Sequence, residues 1–381
     1  MESVVGQGVS RSPSFGILST YPPTRCGLAT FTAALAHWLS TYGADVGVVR
    51  VSDGSPCSSA RVIGELVNGS PASVAACIEL LNQKDVAVIQ HQYDIYGGVE
   101  GYEVVDVIDG LRVPSIVIAH TILKNPTRQQ RSALEAVVAR ADQVIVMSDA
   151  ASERLRGEFA VDRRKVVTIP HGATVSTNAC VRNGRPTLLT WGLLGPGKGI
   201  ERVIDAMGSL TGLPGRPQYV VAGQTHPKVL AAEGDAYRDA CIEQARRRGV
   251  ADSVRFDANY RNLPMLSALI QSAAVVVLPY DSTDQVTSGV LVGAIASGRP
   301  IVATAFPHAV ELLGSGAGIV VPHDDPDALV SALDRVLTQP RLAGAMAAEG
   351  RRLAPEMTWP VIANAYLGLA RRVLADRRVL V

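Results

Sequence analysis

Aromatic residues make up 5% of the chain and charged residues 19%. So few aromatics argue against a protein built on stacked aromatic platforms, the usual device of single-strand nucleic-acid binders. Lys and Arg number 36 against 35 Asp and Glu, a formal net charge of +1. That balance supplies no bulk electrostatic pull toward DNA or RNA, although a local basic patch stays open. Cysteine is also scarce: Cys26, Cys57, Cys77, Cys180 and Cys241 are odd in number, widely spaced and form no CxxC pair. A disulfide framework and a structural zinc site are thereby disfavoured, and a reducing compartment fits. No uncharged apolar run reaches the ~18 residues of a membrane span. The first residues, MESVVGQGVSRSPS, contain no apolar stretch of signal-peptide length. A cytoplasmic protein is expected.

What is present is ample core material. The chain has 381 residues, 47% of them hydrophobic, enough for two or more domains at ~100–200 residues each. Apolar runs of strand length alternate with segments of helical periodicity. In the first half the runs are Phe15–Ser19, Val46–Val51, Val86–His91, Ser115–His120, Gln143–Ser148 and Val166–Gly172. Their β-branched content suits strands buried on both faces, as in a parallel sheet. A polar stretch, Thr174–Pro186, is followed by a second series. It comprises TLLTWG, Tyr219–Gly223, Val254–Phe256, Val275–Tyr280, Pro300–Thr304 and Gly318–Pro322, with one long helix running to Arg248. An α/β chain of two Rossmann-like domains follows. The expected divisions are 1–180, 181–356 and a terminal helical segment 357–381 that returns to the first domain.

In open α/β sheets ligands sit at the carboxyl ends of the strands. Three loops there carry chemistry. TYPPTRCG (Thr20–Gly27) places a glycine at a helix start, where backbone N–H groups and the helix dipole favour an anion. GLLGPGKGIE (Gly192–Glu201) places Lys198 among glycines at another helix start, suited to a diphosphate. Asp281, Asp284, Gln285, Thr287, Ser288 and Gly289 lead into an apolar helix and suit a ribose or phosphate. Each loop also reads as turn or cap chemistry with solvated side chains. His91, His120 and His171 end strands without metal-ligand spacing. No GxSxG elbow, HExxH or GxGxxG after the first strand is found.

Taken in order, these loops resemble the GT-B glycosyltransferases of retaining family 4, over nearly the whole chain. The resemblance is carried by a Gly loop after the first strand, His120–Thr121, IPHG at 169–172, the Lys198–Gly199 pair and SGVLVGAIASGRPIVAT. It narrows to a bacterial subgroup through Thr20–Phe31, His91–Gly98, His120–Pro126, Gly192–Glu201, Ala222–Pro227, Asp284–Gly289 and His308–Leu313. The resemblance implies two domains facing across a cleft, the N-terminal one on the acceptor side. It implies a hexosyl transfer, mannosyl or glucosyl, from a GDP- or UDP-sugar, with no other cofactor. Gly27 would lie against the donor diphosphate or sugar, and His120 would contact the donor sugar near the reacting carbon. Lys198 would stabilise the leaving diphosphate. Ser288 and Gly289 would meet the phosphates through hydroxyl and backbone N–H, with Gln285 and Thr287 completing the donor site. Tyr93, Asp94, Gly97 and Gly98 would face the acceptor, which could be a glycan, a lipid-linked molecule or a small molecule. A lipid-linked acceptor would draw the protein to the inner membrane face.

Two departures stand out. The usual Arg before the Lys–Gly pair is Leu193, and the usual pair of Glu residues is Gln285 and Gly293. They motivate an alternative, a noncatalytic nucleotide-sugar-binding or partner protein. No metal is expected, because Asp324–Asp325 lies far along the chain and Lys198 with helix-start N–H groups can carry the charge. No carboxylate pair for a double displacement is evident; the resemblance implies retention at the front face, the leaving phosphate helping to deprotonate the acceptor.

Overall fold

The computed structural model describes residues 12–175, 184–259 and 261–379. Its contacts divide the chain into two compact units. One comprises residues 1–147, 152–169 and 362–381, the other 148–151 and 170–361. The expected divide at 180/181, like Cys180, lies outside the described residues, and the contact boundary falls at 169/170 instead. The long terminal helix begins at Trp359, and from residue 362 onward it counts with the first unit. There it buries Ile362, Ala363, Tyr366, Leu367 and Ala370, and Arg377 Nη1 donates to the Arg112 carbonyl at 2.6 Å.

The first unit holds a parallel sheet of seven strands: β1 (Phe15–Ser19), β2 (Val46–Val51), β3 (Val62–Leu66), β4 (Val86–His91), β5 (Ser115–Ala119), β6 (Gln143–Val146) and β7 (Val166–Thr168). Their spatial order is β3-β2-β1-β4-β5-β6-β7. The central strands are buried on both faces, as their unbroken apolar runs require. β3 escapes the sequence reading. It is an edge strand whose side chains alternate between partly buried and exposed as far as Glu65, with only Leu66 fully buried, so VIGEL carries no continuous apolar signal.

The second unit repeats the plan with β8 (Thr187–Trp191), β9 (Gln218–Ala222), β10 (Val254–Asp257), β11 (Val275–Leu278), β12 (Ile301–Thr304) and β13 (Gly318–Val321), in the order β10-β9-β8-β11-β12-β13. Alternate residues of each strand feed two cores. Leu189, Val276 and Leu278 pack on one face, and Leu188, Val275 and Val277 on the other. The single long helix read up to Arg248 is two helices, Pro227–Glu233 and Ala236–Arg247. Gly234, at φ +64°, ends the first by leaving the helical region.

In each unit the strand order reverses beside its first strand, between β1 and β4 and between β8 and β11. Connections on either side of such a switch point depart to opposite faces, leaving a crevice at the carboxyl ends. On the other side of β8, the second unit packs the ends of β8, β9 and β10 together through bare backbone. Gly192 N donates to Ala222 O at 3.0 Å and Gly223 N to Asp257 O at 2.8 Å. A Cβ on Gly223, whose φ is +149°, would lie 1.8 Å from the Gly192 carbonyl oxygen. Gly223→Ala should therefore cost about 2–4 kcal/mol, since neither the backbone angle nor the space admits a side chain. Differential scanning calorimetry should show a midpoint about 5–15 °C lower.

Candidate functional site

The switch-point loops contain most of the residues singled out from the sequence, with His120 lying instead after β5. In the first unit the loop after β1 runs into the helix Gly27–Thr41. Cys26 caps that helix: its Sγ accepts from Ala29 N at 3.4 Å and lies 3.2 Å from Thr20 Oγ1. A side chain on Gly27 would meet no atom within 4 Å. Packing within the protein therefore does not demand glycine there, whereas close approach of a ligand to the helix start would.

The same loop is moored by a residue that sequence reasoning missed. Arg50, at the end of β2, is fully buried. It donates through Nη2 to Thr24 Oγ1 at 3.1 Å and through Nη1 to Glu65 Oε1 at 2.7 Å, and it pairs with Asp53. Thr24 in turn donates to Asp53 at 2.6 Å. A lone charge inside the apolar run VGVVRV was the available signal, because a buried guanidinium needs carboxylates around it.

His120 follows β5. Its ring meets the edge of Phe31, one turn into the Gly27–Thr41 helix, at 5.1 Å and 84°. Its Nε2 is hydrogen-bonded to Gln90 Oε1. Gln90 is fully buried on β4 and its Nε2 has no partner. A polar residue in VAVIQH was again the signal for an imidazole-orienting amide.

The four acceptor-side candidates fall differently. Tyr93 is buried against the His91 ring, centroids 5.2 Å apart, and its hydroxyl has no partner. Asp94 is exposed. Gly97 and Gly98 serve the turn: a Cβ on Gly97 would strike Glu103 Oε2 at 2.6 Å, and Gly98 sits at φ +76°. Glu103 bridges the turn, accepting from Gly97 N at 3.2 Å and Gly69 N at 2.7 Å.

In the second unit Lys198 is half-buried at the start of the helix Ile200–Leu210. Its Nζ stands 4.6 Å from the centroid of the Tyr280 ring, and burial lowers its pKa from the ordinary lysine value. Among the described residues no carboxylate lies within ion-pair distance of it. Neighbouring carboxylates are already engaged: Glu201 accepts from Tyr237 at 2.6 Å, and Asp281 from Arg202 at 2.9 Å.

Ser288 is engaged within the chain. Its amide donates to His308 Nδ1 at 2.9 Å, its hydroxyl accepts from Leu291 N at 3.2 Å as the cap of the helix Gly289–Ala296, and the residue is buried. Both Ser288 groups thus have partners within the chain, because a buried helix start must satisfy its own donors and acceptors. The amides of Gly289 and Val290 follow with no partner among the described residues. Gly289 is exposed, and a Cβ there would lie 2.7 Å from His171 Nε2.

Gln285 folds back on its own loop, Nε2 donating to Thr287 O at 3.0 Å, while its carbonyl accepts from His308 N at 3.3 Å. The Thr287 hydroxyl is buried without a partner. Gly293 faces the Trp191 ring, whose Cζ2 would be 3.7 Å from a Cβ. That is ordinary contact, so packing does not forbid a side chain there. The motif around His308 also holds Glu311, whose carboxylate accepts from Asp149 N and Ala150 N at 3.0 Å each.

Two fully buried imidazoles set a pH limit. Burial pushes the pKa of His91 down to about 4, and burial with the nearby His171 pushes that of His308 down to about 3. Unfolded, each would bind a proton near pH 6.5, so their contribution is complete above that value and is lost as pH falls toward 4. Between pH 7.5 and pH 5 the protein should lose about 1–2 kcal/mol per histidine. Urea unfolding at the two pH values measures this; equal stabilities would contradict the neutral, buried assignment.

Comparison with known proteins places these loops in context. The family described as Glycosyl transferases group 1 matches residues 185–339, and Glycosyltransferase Family 4 matches residues 26–176. A D-inositol 3-phosphate glycosyltransferase of Kineococcus radiotolerans is 27% identical over 267 residues, covering 64% of this chain and 60% of that protein. One from Actinosynnema mirum is 26% identical over 299 residues, 69% of each. The match thus spans about three fifths of the length of the first of these relatives. Among solved structures, sucrose-phosphate synthase from Thermosynechococcus elongatus superposes with a TM-score of 0.76 at 19% identity, covering 95% of this chain and 100% of that one. Anabaena Alr3699/HepE in complex with UDP gives 0.72 at 15%, covering 94% and 100%. At these identities the structural likeness is one of fold.

Proposed function

We propose that this chain, which has the GT-B fold and whose two halves match Glycosyltransferase Family 4 and Glycosyl transferases group 1, transfers a hexosyl group, mannose or glucose, from a GDP- or UDP-sugar to a hydroxyl acceptor with retention of configuration. The observation that carries the donor half of this reading is Lys198, a half-buried cation at a helix start with no carboxylate partner among the described residues. As the anomeric bond breaks, negative charge grows on the departing diphosphate. A fixed cation and unengaged amides aimed at that charge stabilise the transition state more than the ground state. Lys198, with the Gly289 and Val290 amides, supplies that pattern in this proposal. Gly27 admits the sugar or diphosphate to the first helix start, and His120, held by Gln90, contacts the donor sugar near the reacting carbon. A neighbour whose structure contains UDP supports a nucleotide donor. The names of the curated relatives support a phosphorylated polyol as the acceptor class.

Leu193 and Gly293 favour a second reading, a sugar-nucleotide-binding protein without transfer. The two separate in one experiment: donors ranked by thermal shift are then tested for release of the nucleoside diphosphate with and without candidate acceptors. Binding without release under every condition would establish the second reading. Under the first, Lys198→Ala should lower kcat/KM at least 10-fold, a loss of about 1.4 kcal/mol or more of transition-state stabilisation, while the melting midpoint stays near that of the unaltered chain. Turnover should also survive EDTA, because the proposed charge stabilisation comes from Lys198 and backbone amides rather than a metal.

A further inference from the structure

Lys198 has no carboxylate partner among the described residues, but it has a ring. The loop that carries it is docked residue by residue on the segment after β11. Asp281 N donates to the Gly197 carbonyl at 3.0 Å. Gly199 lies so close to Pro279 that a Cβ would be 1.8 Å from the Pro279 oxygen. Between these two backbone contacts the Lys198 ammonium stands over Tyr280. Tyr280 is itself fixed: it is buried, its ring is stacked on Phe306 at 5.3 Å and 27°, and its carbonyl accepts from Thr304 Oγ1 at 2.7 Å.

We propose that Tyr280 is a positioning residue whose ring face holds the Lys198 ammonium in place, charged and unpaired, for an anionic phosphate. The inference rests on the donor reading given above. A lysine stem has four rotatable carbons and samples many rotamers when unrestrained. A carboxylate would restrain it, but would also neutralise its charge and compete with an incoming phosphate. An aromatic face attracts the ammonium through its quadrupole, with an effect of about 2- to 30-fold in occupancy, and leaves the positive charge intact. Phe306 beneath Tyr280 keeps the ring from tilting away.

Reductive methylation with ¹³C-formaldehyde labels the lysines, Lys84, Lys124, Lys165, Lys198 and Lys228, and preserves their charge. Lys198→Arg identifies the Lys198 signal. That signal should lie upfield of the others through the Tyr280 ring current, stay there in Tyr280→Phe and move back in Tyr280→Leu. Calorimetric titration of the unlabelled protein with GDP and with UDP gives the second arm. For whichever nucleotide binds, Tyr280→Leu should weaken Kd about 5- to 30-fold and Tyr280→Phe less than 2-fold. A Lys198 signal that is not ring-shifted in the otherwise unaltered protein overturns the proposal without needing the leucine variant to fold. So does a phenylalanine variant that binds as weakly as the leucine one. Failure of the unaltered protein to bind either nucleotide overturns the donor reading instead, and the ring-current arm then judges the tyrosine alone.

Discussion

The carbonyl oxygen of Pro279 occupies the place where residue 199 would carry its β-carbon. Much of the second unit's candidate site depends on that contact. It forces glycine at 199, in a left-handed conformation that also opens the helix Ile200–Leu210. It brings the lysine loop against the strand-end segment that holds Tyr280. Two backbones can approach so closely only when one lacks a side chain, and the approach then fixes both loops to within the tolerance of a hydrogen bond. The pairing of Leu194 with Thr225 extends the sheet beyond β8 and anchors the other end of the lysine loop.

Each unit meets the same topological requirement with different chemistry. The reversal of strand order leaves a crevice beside the first strand of either sheet. In the first unit that crevice is bordered by a helix start with open space at Gly27 and by an imidazole oriented by an amide. Buried Arg50 holds the loop from behind, through Thr24 and the carboxylates of Asp53 and Glu65. In the second unit a cation rests on an aromatic ring beside a helix start capped by Ser288. His308 secures the latter loop from both sides, accepting from the Ser288 amide and donating its own amide to the Gln285 carbonyl. A neutral imidazole can perform this buried task where a charged group would demand a counter-ion.

The departures at Leu193, Gln285 and Gly293 can be judged against this background. Gly293 has room for a side chain beside Trp191, so its lack of one is not imposed by packing. Gln285 directs its amide to its own loop. In the proposed donor site the positive charge is that of Lys198, set against the Tyr280 ring. The near-neutral composition agrees with that economy, since an anionic ligand would be held by a few placed groups rather than by a basic face.

Much of this was legible in the sequence because parallel strands buried on both faces write themselves as unbroken β-branched runs. The alternation of those runs with helical segments, the glycine loops at their ends, and Lys198, His120 and Gly27 as the residues to watch all come from local pattern. The edge strand Val62–Leu66 was not legible, since a half-exposed strand lacks the run. Nor was the break at Gly234, where a single left-handed residue ends a helix inside a continuous helical composition. The roles of Arg50, Gln90, Tyr280 and His308 were hidden for a different reason: each acts on a residue 20 or more positions away. Sequence determined which residues could carry charge, accept a proton or bend the backbone. Only tertiary structure decided that Ser288 turns inward to His308, that Gly97 yields to Glu103, and that Lys198 meets a ring instead of a carboxylate. Such pairings depend on which loops the strand order brings side by side, and strand order is a property of the whole sheet.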